Sequence, residues 1–137
     1  MTIRTYASYP RTAVEAIPAG YLCGIASGQV DLLDDSGQTT VVTVAPLGVA
    51  STTTSADGDE IAVVNFGEAM VIAGTGGLSA DQFFVAEAGT GKALPYAEAT
   101  YTDGQTVYLC GRALEDIAAN AIGRAWVQIQ QISVSNP

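Results

Sequence analysis

A unit that occurs twice is the feature of this sequence that most constrains its fold. Each copy reads as a strand, a glycine turn, a strand with an apolar-Gly-x-Ala motif, and a further strand that a glycine introduces. The correspondence is loose, because the spacings between the elements differ. None of the repeated elements carries a pattern typical of reaction chemistry. The first copy comprises residues 28–33, 34–37, 47–50 and 57–64, and the second comprises residues 80–86, 89–92, 110–113 and 122–127.

Short β-type segments fill the chain from residue 20 onward. They are rich in Val, Ile, Thr and aromatic residues and are bounded by Gly, Asp, Ser and Pro, which is typical of strands. In the last segment Val127 and Ile129 alternate with Gln128 and Gln130, as they do in a half-buried strand. The pattern predicts a mainly β fold, a compact small barrel or sandwich of short strands with little helix.

The first 19 residues differ from the rest of the chain. They contain two of the five basic residues, two of the six tyrosines, and both Pro10 and Pro18. Proline favours extended backbone, so we expect an extended N-terminal arm over residues 1–19 and one β-rich domain over residues 20–137. The arm is more apolar than a disordered tail needs. We therefore expect it to lie on a partner, and the domain to fold without it. The candidate partner-binding residues are Arg4, Tyr6, Tyr9, Arg11, Val14 and Ile17.

Composition limits the classes of partner. Charged residues make up 14% of the chain, against about 25% in ordinary soluble domains. Either another chain covers part of the surface, or the protein is a small β domain with a large core. The net charge is −9, and the five basic residues are scattered along the chain. Phosphate backbones require clustered Lys and Arg, so we expect neither nucleic acid nor an anionic membrane as a partner.

The cysteines and the N-terminus indicate the compartment. Cys23 and Cys110 each lie in an apolar segment, without a CxxC or His-rich ligand pattern, so no metal site is expected. Two reduced, buried thiols are the simpler interpretation, and a disulfide between them stays open. The sequence has no signal-peptide pattern and no run of 18 apolar residues. We expect synthesis in a reducing cytoplasm.

The chain contains no histidine, and therefore lacks the commonest general base and metal ligand. We accordingly expect no enzyme, no cofactor, and stability that is nearly constant between pH 5 and 8. The Gly-Thr-Gly-Lys segment at 89–92 resembles part of a P-loop, but Ala86 and Ala93 replace the required Gly and Ser/Thr, and Pro95 disfavours the helix. It predicts a hairpin turn. Asp57 and Asp59 lie in turns, where solvation alone explains them.

A set of strand and turn segments in this sequence matches a known pattern, namely residues 29–37, 47–50, 57–63, 66–69, 89–93 and 111–115. Together these segments resemble the tailed-phage capsid decoration (cement) proteins. The resemblance covers residues 20–132, and its motifs are turn and strand patterns. The N-terminal arm is not matched position by position.

The resemblance implies a β-tulip-like domain similar to the lambdoid head-decoration proteins. It implies that the chain sits on the outer surface of the virion capsid, commonly as a homotrimer, where it bridges major capsid protein subunits and stabilises the shell. Two other classes stay open. One is a virion head-fibre or adhesin-type module that contacts the host surface, for which Tyr96 and Tyr101 are the candidate loop aromatics. The other is a hydrolase built on acidic loops, which the absence of histidine disfavours.

Overall fold

A computed structural model of the protein describes residues 7–26, 28–34 and 45–135. The described residues form nine strands and one short 3-10 helix, which confirms the expected mainly β fold with little helix. The segment 114–121, which has a weak helical pattern, forms turns. The elements are β1 Ala7–Thr12, β2 Leu22–Ala26, β3 Gln29–Leu32, β4 Ala45–Ala50, β5 Glu60–Ile72, β6 Phe83–Ala86, β7 Ala93–Pro95, η1 Glu98–Thr100, β8 Thr106–Ala113 and β9 Ile122–Ser133.

The strands belong to one antiparallel sheet, in the order β3-β2-β4-β5-β9-β8-β6-β7, with β1 also paired to β5. Isolated parallel bridges join Ala13 to Val30 in β3 and Ala73 to Ala93 in β7. Because β3 and β7 are the two ends of the sheet, these bridges bring β3 back to the end of β1 and β7 back to the end of β5. The sheet is therefore curled into a half-barrel, which agrees with the small barrel that the sequence predicts.

The long strand β5 belongs to both halves of the sheet. Its first half pairs with β1 and β4, and its second half pairs with β9. In the first half of the chain β2 pairs with β3 and with β4, and β4 pairs with β5. In the second half β6 pairs with β7 and with β8, and β8 pairs with β9. The chain is thus a tandem of two equivalent units, repeat 1 (residues 7–65) and repeat 2 (residues 66–133).

The connecting loops repeat the same backbone hydrogen bonds, so the duplication extends beyond strand order. Gly20 and Asp81 occupy equivalent turn positions, and both have positive φ, 95° and 69°. The sequence motif matched β4 with β8 and β5 with β9 correctly, but it matched β3 with β6, whereas the structure makes β7 the equivalent of β3. The donor–acceptor pairs are Ala13–Asp59, Val14–Val30, Gly20–Ala50 and Ala50–Tyr21 in repeat 1, and Ala73–Ala121, Gly74–Ala93, Asp81–Ala113 and Ala113–Gln82 in repeat 2.

The repeated apolar-Gly-x-Ala motif has a steric cause. A Cβ atom on Gly48 would overlap the backbone carbonyl of Val64, and one on Gly111 would overlap the carbonyl of Trp126. In both repeats the glycine therefore lets one strand approach its neighbour more closely than a side chain would allow.

Two clusters of buried side chains form most of the core. The repeat 1 core lies within the first unit and consists of Ala13, Ile17, Cys23, Val30, Ala50, Ile61 and Val63. The main core joins the two units: Leu22, Leu33, Val49 and Val64 of repeat 1 pack with repeat 2 side chains that include Phe84, Cys110 and Val127. A smaller cluster, Val85, Val107, Leu109 and Val134, lies under Tyr96 and Tyr101.

Residues 7–19 belong to this fold, and this corrects the expected arm that ends at residue 19. β1 pairs with β5 from Ala7 opposite Phe66 to Thr12 opposite Glu60. Ile17 is fully buried in the repeat 1 core, and its backbone N–H donates to Thr54 Oγ1 at 2.9 Å. Ordering an extended segment costs about 1–2 kcal/mol per residue, and contacts within the same chain offset this cost here. No boundary between an arm and a domain occurs at residue 20.

A pair of carboxyl groups changes the expected pH dependence. Glu15, between β1 and β2, lies beside Asp31 of β3, and the Leu32 N–H donates to Asp31 Oδ1 at 2.9 Å and to Glu15 Oε2 at 3.4 Å. The hydrogen bond to Asp31, together with partial burial and the charge of Asp31, raises the pKa of Glu15 to about 7. The Glu15 carboxyl group therefore titrates between pH 5 and 8, although the chain contains no histidine.

We predict that Ile17→Ala lowers the free energy of unfolding by about 2–5 kcal/mol, since it opens a cavity in the repeat 1 core. Deletion of residues 2–17 also removes β1 and should leave the domain unfolded. Urea denaturation followed by circular dichroism measures both. Val14→Ala, at a half-buried position nearby, is the matched control and should cost less. A truncated chain with the denaturation midpoint of the full chain would contradict this prediction.

We predict that stability decreases as the pH rises from 5 to 8. A folded-state pKa of about 7 lies above the ordinary value of 4.5 for Glu15, so the folded state binds the proton more tightly than the unfolded chain does. The resulting stabilisation is complete below pH 4.5 and is lost as the pH passes 7. Glu15→Gln cannot ionise and should flatten the profile of urea midpoints. An identical slope in the variant would show that another group is responsible.

Candidate partner-binding surface

The structure describes the backbone of four of the six candidate arm residues. Arg4 and Tyr6 lie outside the described residues. Tyr9 and Arg11 lie in β1, opposite Val63 and Ile61 of β5. Val14 is half-buried and its backbone N–H donates to the Val30 carbonyl at 2.8 Å, and Ile17 is part of the core. Their proposed role in partner binding thus concerns the segment that precedes and includes β1.

The two thiols are placed for packing rather than for chemistry. Cys23 and Cys110 are both buried and free, as expected. Burial raises the pKa of each thiol to about 12, so both stay protonated at neutral pH. Since the thiolate is the nucleophile and the metal ligand, neither residue is suited to catalysis or to metal binding.

The polar loops singled out in the sequence have structural contacts. Asp59 Oδ2 accepts hydrogen bonds from the Ser55 N–H and hydroxyl, which lowers its pKa and closes the turn. The Gly-Thr-Gly-Lys segment forms the β6–β7 hairpin, as predicted, and Lys92 Nζ donates to Asn120 Oδ1 at 3.0 Å. Over residues 7–26, 28–34 and 45–135, no three acidic or cysteine side chains cluster as metal ligands would.

Tyr96 and Tyr101 pack on the protein itself. Their rings stack with centroids 5.6 Å apart and planes at 22°. Both are half-buried against the cluster beneath β6 and β8. As loop aromatics for host contact they are thus less available than the sequence indicated.

Among the residues whose exposure the structure describes, the most exposed large apolar side chains lie on the outer side of repeat 2. On β5, Phe66 and Met70 are 46% and 47% exposed, and on β9, Ile122 is 55% exposed. Phe83 of β6 is 44% exposed. Trp126 of β9 is half-buried, and its ring meets that of Phe66 edge-on at 5.4 Å and 77°. We call these five residues the apolar face.

Strand pairing brings the apolar face into one region of the sheet, with Arg112 and Arg124 between its members. Trp126 on β9 pairs with Arg112 on β8, and Arg112 pairs with Phe83 on β6. A shallow cavity of about 240 Å³ lies here, lined by these three residues with Gly111, Gln128 and Gln130. On the other side of β9, a wider groove of about 850 Å³ runs along Met70 and Ile122 towards Gly20 of repeat 1. Strand β9 contributes side chains to both cavities.

Charges on this surface balance one another. Arg124, between Ile122 and Trp126 on β9, lies 3.6 Å from Glu68 of β5 and 3.6 Å from Glu115. All three side chains are well exposed, so each pair contributes at most about 1 kcal/mol. Arg112 makes no ion pair with any described residue. The surface therefore carries two arginines beside two glutamates, although the whole chain has a net charge of −9.

From sequence alone, Trp126 fits a strand side chain either in a core or at an interface, and neither Phe66 nor Phe83 stands out. A signal was present in β5, where Phe66, Glu68 and Met70 alternate with Gly67, Ala69 and Val71. Strict alternation in a strand places the first set on one side of the sheet. The sequence could not show that this side lacks a cover, because that depends on where repeat 1 packs.

Comparison with known proteins indicates the fold class. No protein-family model matches the chain, and no curated protein matches it either. None of the helical segments in the described part of the chain has the length and apolar character that a membrane crossing needs. Among solved structures, the fold is similar to the N base of the head fiber protein gp8.5 of bacteriophage phi29. The TM-score is 0.55 at 16% identity, over 89% of this chain and 93% of that one. At this identity the likeness shows a shared β fold.

Proposed function

We propose that this protein is a structural component of a bacteriophage virion, attached to the outer surface of the head. The observation that carries the proposal is the fold shared with the head fiber base, which extends over nearly the whole of both chains. The capsid decoration proteins that the sequence resembles belong to the same part of the virion. Two independent comparisons, one of motifs and one of tertiary structure, therefore support the same location.

The proposed role is to bridge major capsid protein subunits and stabilise the shell, with the chain acting as a homotrimer. The exposed apolar face supports an assembly role, because large apolar side chains that lie exposed in one region often mark contact sites. The buried, protonated thiols and the structural contacts of Asp59 support a role without catalysis, cofactor or metal. An acidic chain with five scattered basic residues is suited to neither nucleic acid nor an anionic membrane.

We propose that the segment that precedes and includes β1 supplies the contact to the capsid. It carries Arg4, Tyr6, Tyr9 and Arg11, and therefore two of the five basic residues of the chain. An extended segment beside a sheet edge can add main-chain hydrogen bonds to a partner strand. Its arginines can meet carboxylates of the capsid protein, which the acidic remainder of the chain cannot do.

The test uses heads of the parent phage that lack this protein. The full chain should co-sediment with the heads, occupy regular positions on their outer surface in cryo-electron microscopy, and raise the temperature at which they break open. Arg4→Glu should weaken binding about tenfold, since charge complementarity at the contact is lost. Lys92→Glu makes the same change of charge in the β6–β7 hairpin and is the matched control. Heads that do not bind the full chain would refute the proposal.

A head-fibre module that contacts the host is the second candidate, and the name of the similar structure favours it. Phage that lack this chain discriminate the two roles. Loss of head stability with normal adsorption to cells indicates a cement role. Normal head stability with slower adsorption indicates a fibre role.

A further inference from the structure

Equivalent rows of side chains in the two repeats have opposite environments. In repeat 1, Leu22 on β2 pairs with Val49 on β4, and Val49 pairs with Val64 on β5. The equivalent row of repeat 2 runs from Phe83 on β6 through Arg112 on β8 to Trp126 on β9. The first row is buried, whereas Phe83 and Arg112 are exposed and Trp126 is half-buried. The same structural position is therefore covered in one repeat and open in the other.

Repeat 2 itself covers the row of repeat 1. Leu22, Val49 and Val64 belong to the main core, where they pack with Phe84 and Cys110 of repeat 2. In tandem-repeat proteins each unit buries its apolar face against the next one, and the last unit normally ends in a polar face. In the described part of the chain, the equivalent face of repeat 2 carries exposed apolar side chains and has no unit packed on it. Phe66, Phe83 and Trp126 are therefore left in the position that a following unit would cover.

A second copy of this chain has the chemistry to serve as that cover, because it carries the same open side chains of Phe66, Phe83 and Trp126 and can pack them against those of the first copy. The electrostatics also favour a second copy at this place. A net charge of −9 makes two copies repel, with a range set by the Debye length of about 8–10 Å at physiological salt. Arg112 and Arg124 offset Glu68 and Glu115 on the apolar face, so two copies can meet here without that local repulsion.

We infer that the apolar face of repeat 2 is the surface through which copies of this chain associate, with Trp126 at its centre. Arg112 meets a carboxylate of the second copy, since it has no ion pair among the described residues of its own chain. This inference rests on the self-association within the proposed function, and it does not depend on attachment to the capsid.

The chain contains a single tryptophan, and its place on the apolar face provides a direct probe. Sedimentation velocity of the full chain over a wide range of concentration should show self-association. Over the same range, Trp126 emission should shift to shorter wavelength and acrylamide should quench it less. Phe83→Ser and Arg112→Glu should each weaken association about 10- to 100-fold, as truncation of central interface residues does. Both side chains are exposed, so thermal unfolding of the monomer should change little.

Lys92→Glu is again the control, because it makes the same change of charge as Arg112→Glu but lies off the apolar face, and it should associate like the unaltered chain. A chain that stays monomeric at the highest soluble concentration, or variants that associate as the unaltered chain does, would overturn the inference. Binding to heads is scored separately. Head binding by a monomeric chain refutes this inference alone, whereas self-association without head binding refutes only the proposed attachment.

Discussion

The packing of the outer row of repeat 1 into the interior of repeat 2 is the interaction on which the rest of the structure depends. Leu22, Val49 and Val64 are buried because repeat 2 lies over them. At about 25 cal/mol for each Å² of apolar surface removed from water, such burial is the main source of stability in a small β domain. It also joins the two repeats into one unit, because the main core contains side chains of both.

Strand β5 makes this packing possible. One continuous strand of 13 residues ends repeat 1 and begins repeat 2, so the relative position of the two units is set by the covalent chain. The close approach at Gly48 and Gly111 tightens each unit in the same way. A substitution at either glycine would therefore affect the pairing of neighbouring strands more than it would affect local turn geometry.

The same architecture explains why apolar side chains are exposed at one end of the described structure. A tandem of two units has two ends, and the outer end of repeat 2 carries aromatic and aliphatic side chains rather than a polar cap. The association between copies proposed above would cover this surface.

Local sequence determined the β class, the hairpin at residues 89–92, the burial of Cys23 and Cys110, and the existence of a duplication, because turn glycines and short Val- and Ile-rich segments depend on neighbouring residues alone. Only the tertiary structure decided that β1 and Ile17 belong to the domain, because an extended segment with prolines fits a sheet edge of its own chain as well as one of a partner. It also decided that Glu15 lies beside Asp31, since the two are adjacent only when β3 packs against the β1–β2 connection.

The same holds for the apolar face. Trp126 and Val64 occupy equivalent strand positions, and only the stacking of one repeat on the other buries Val64 and leaves Trp126 partly open.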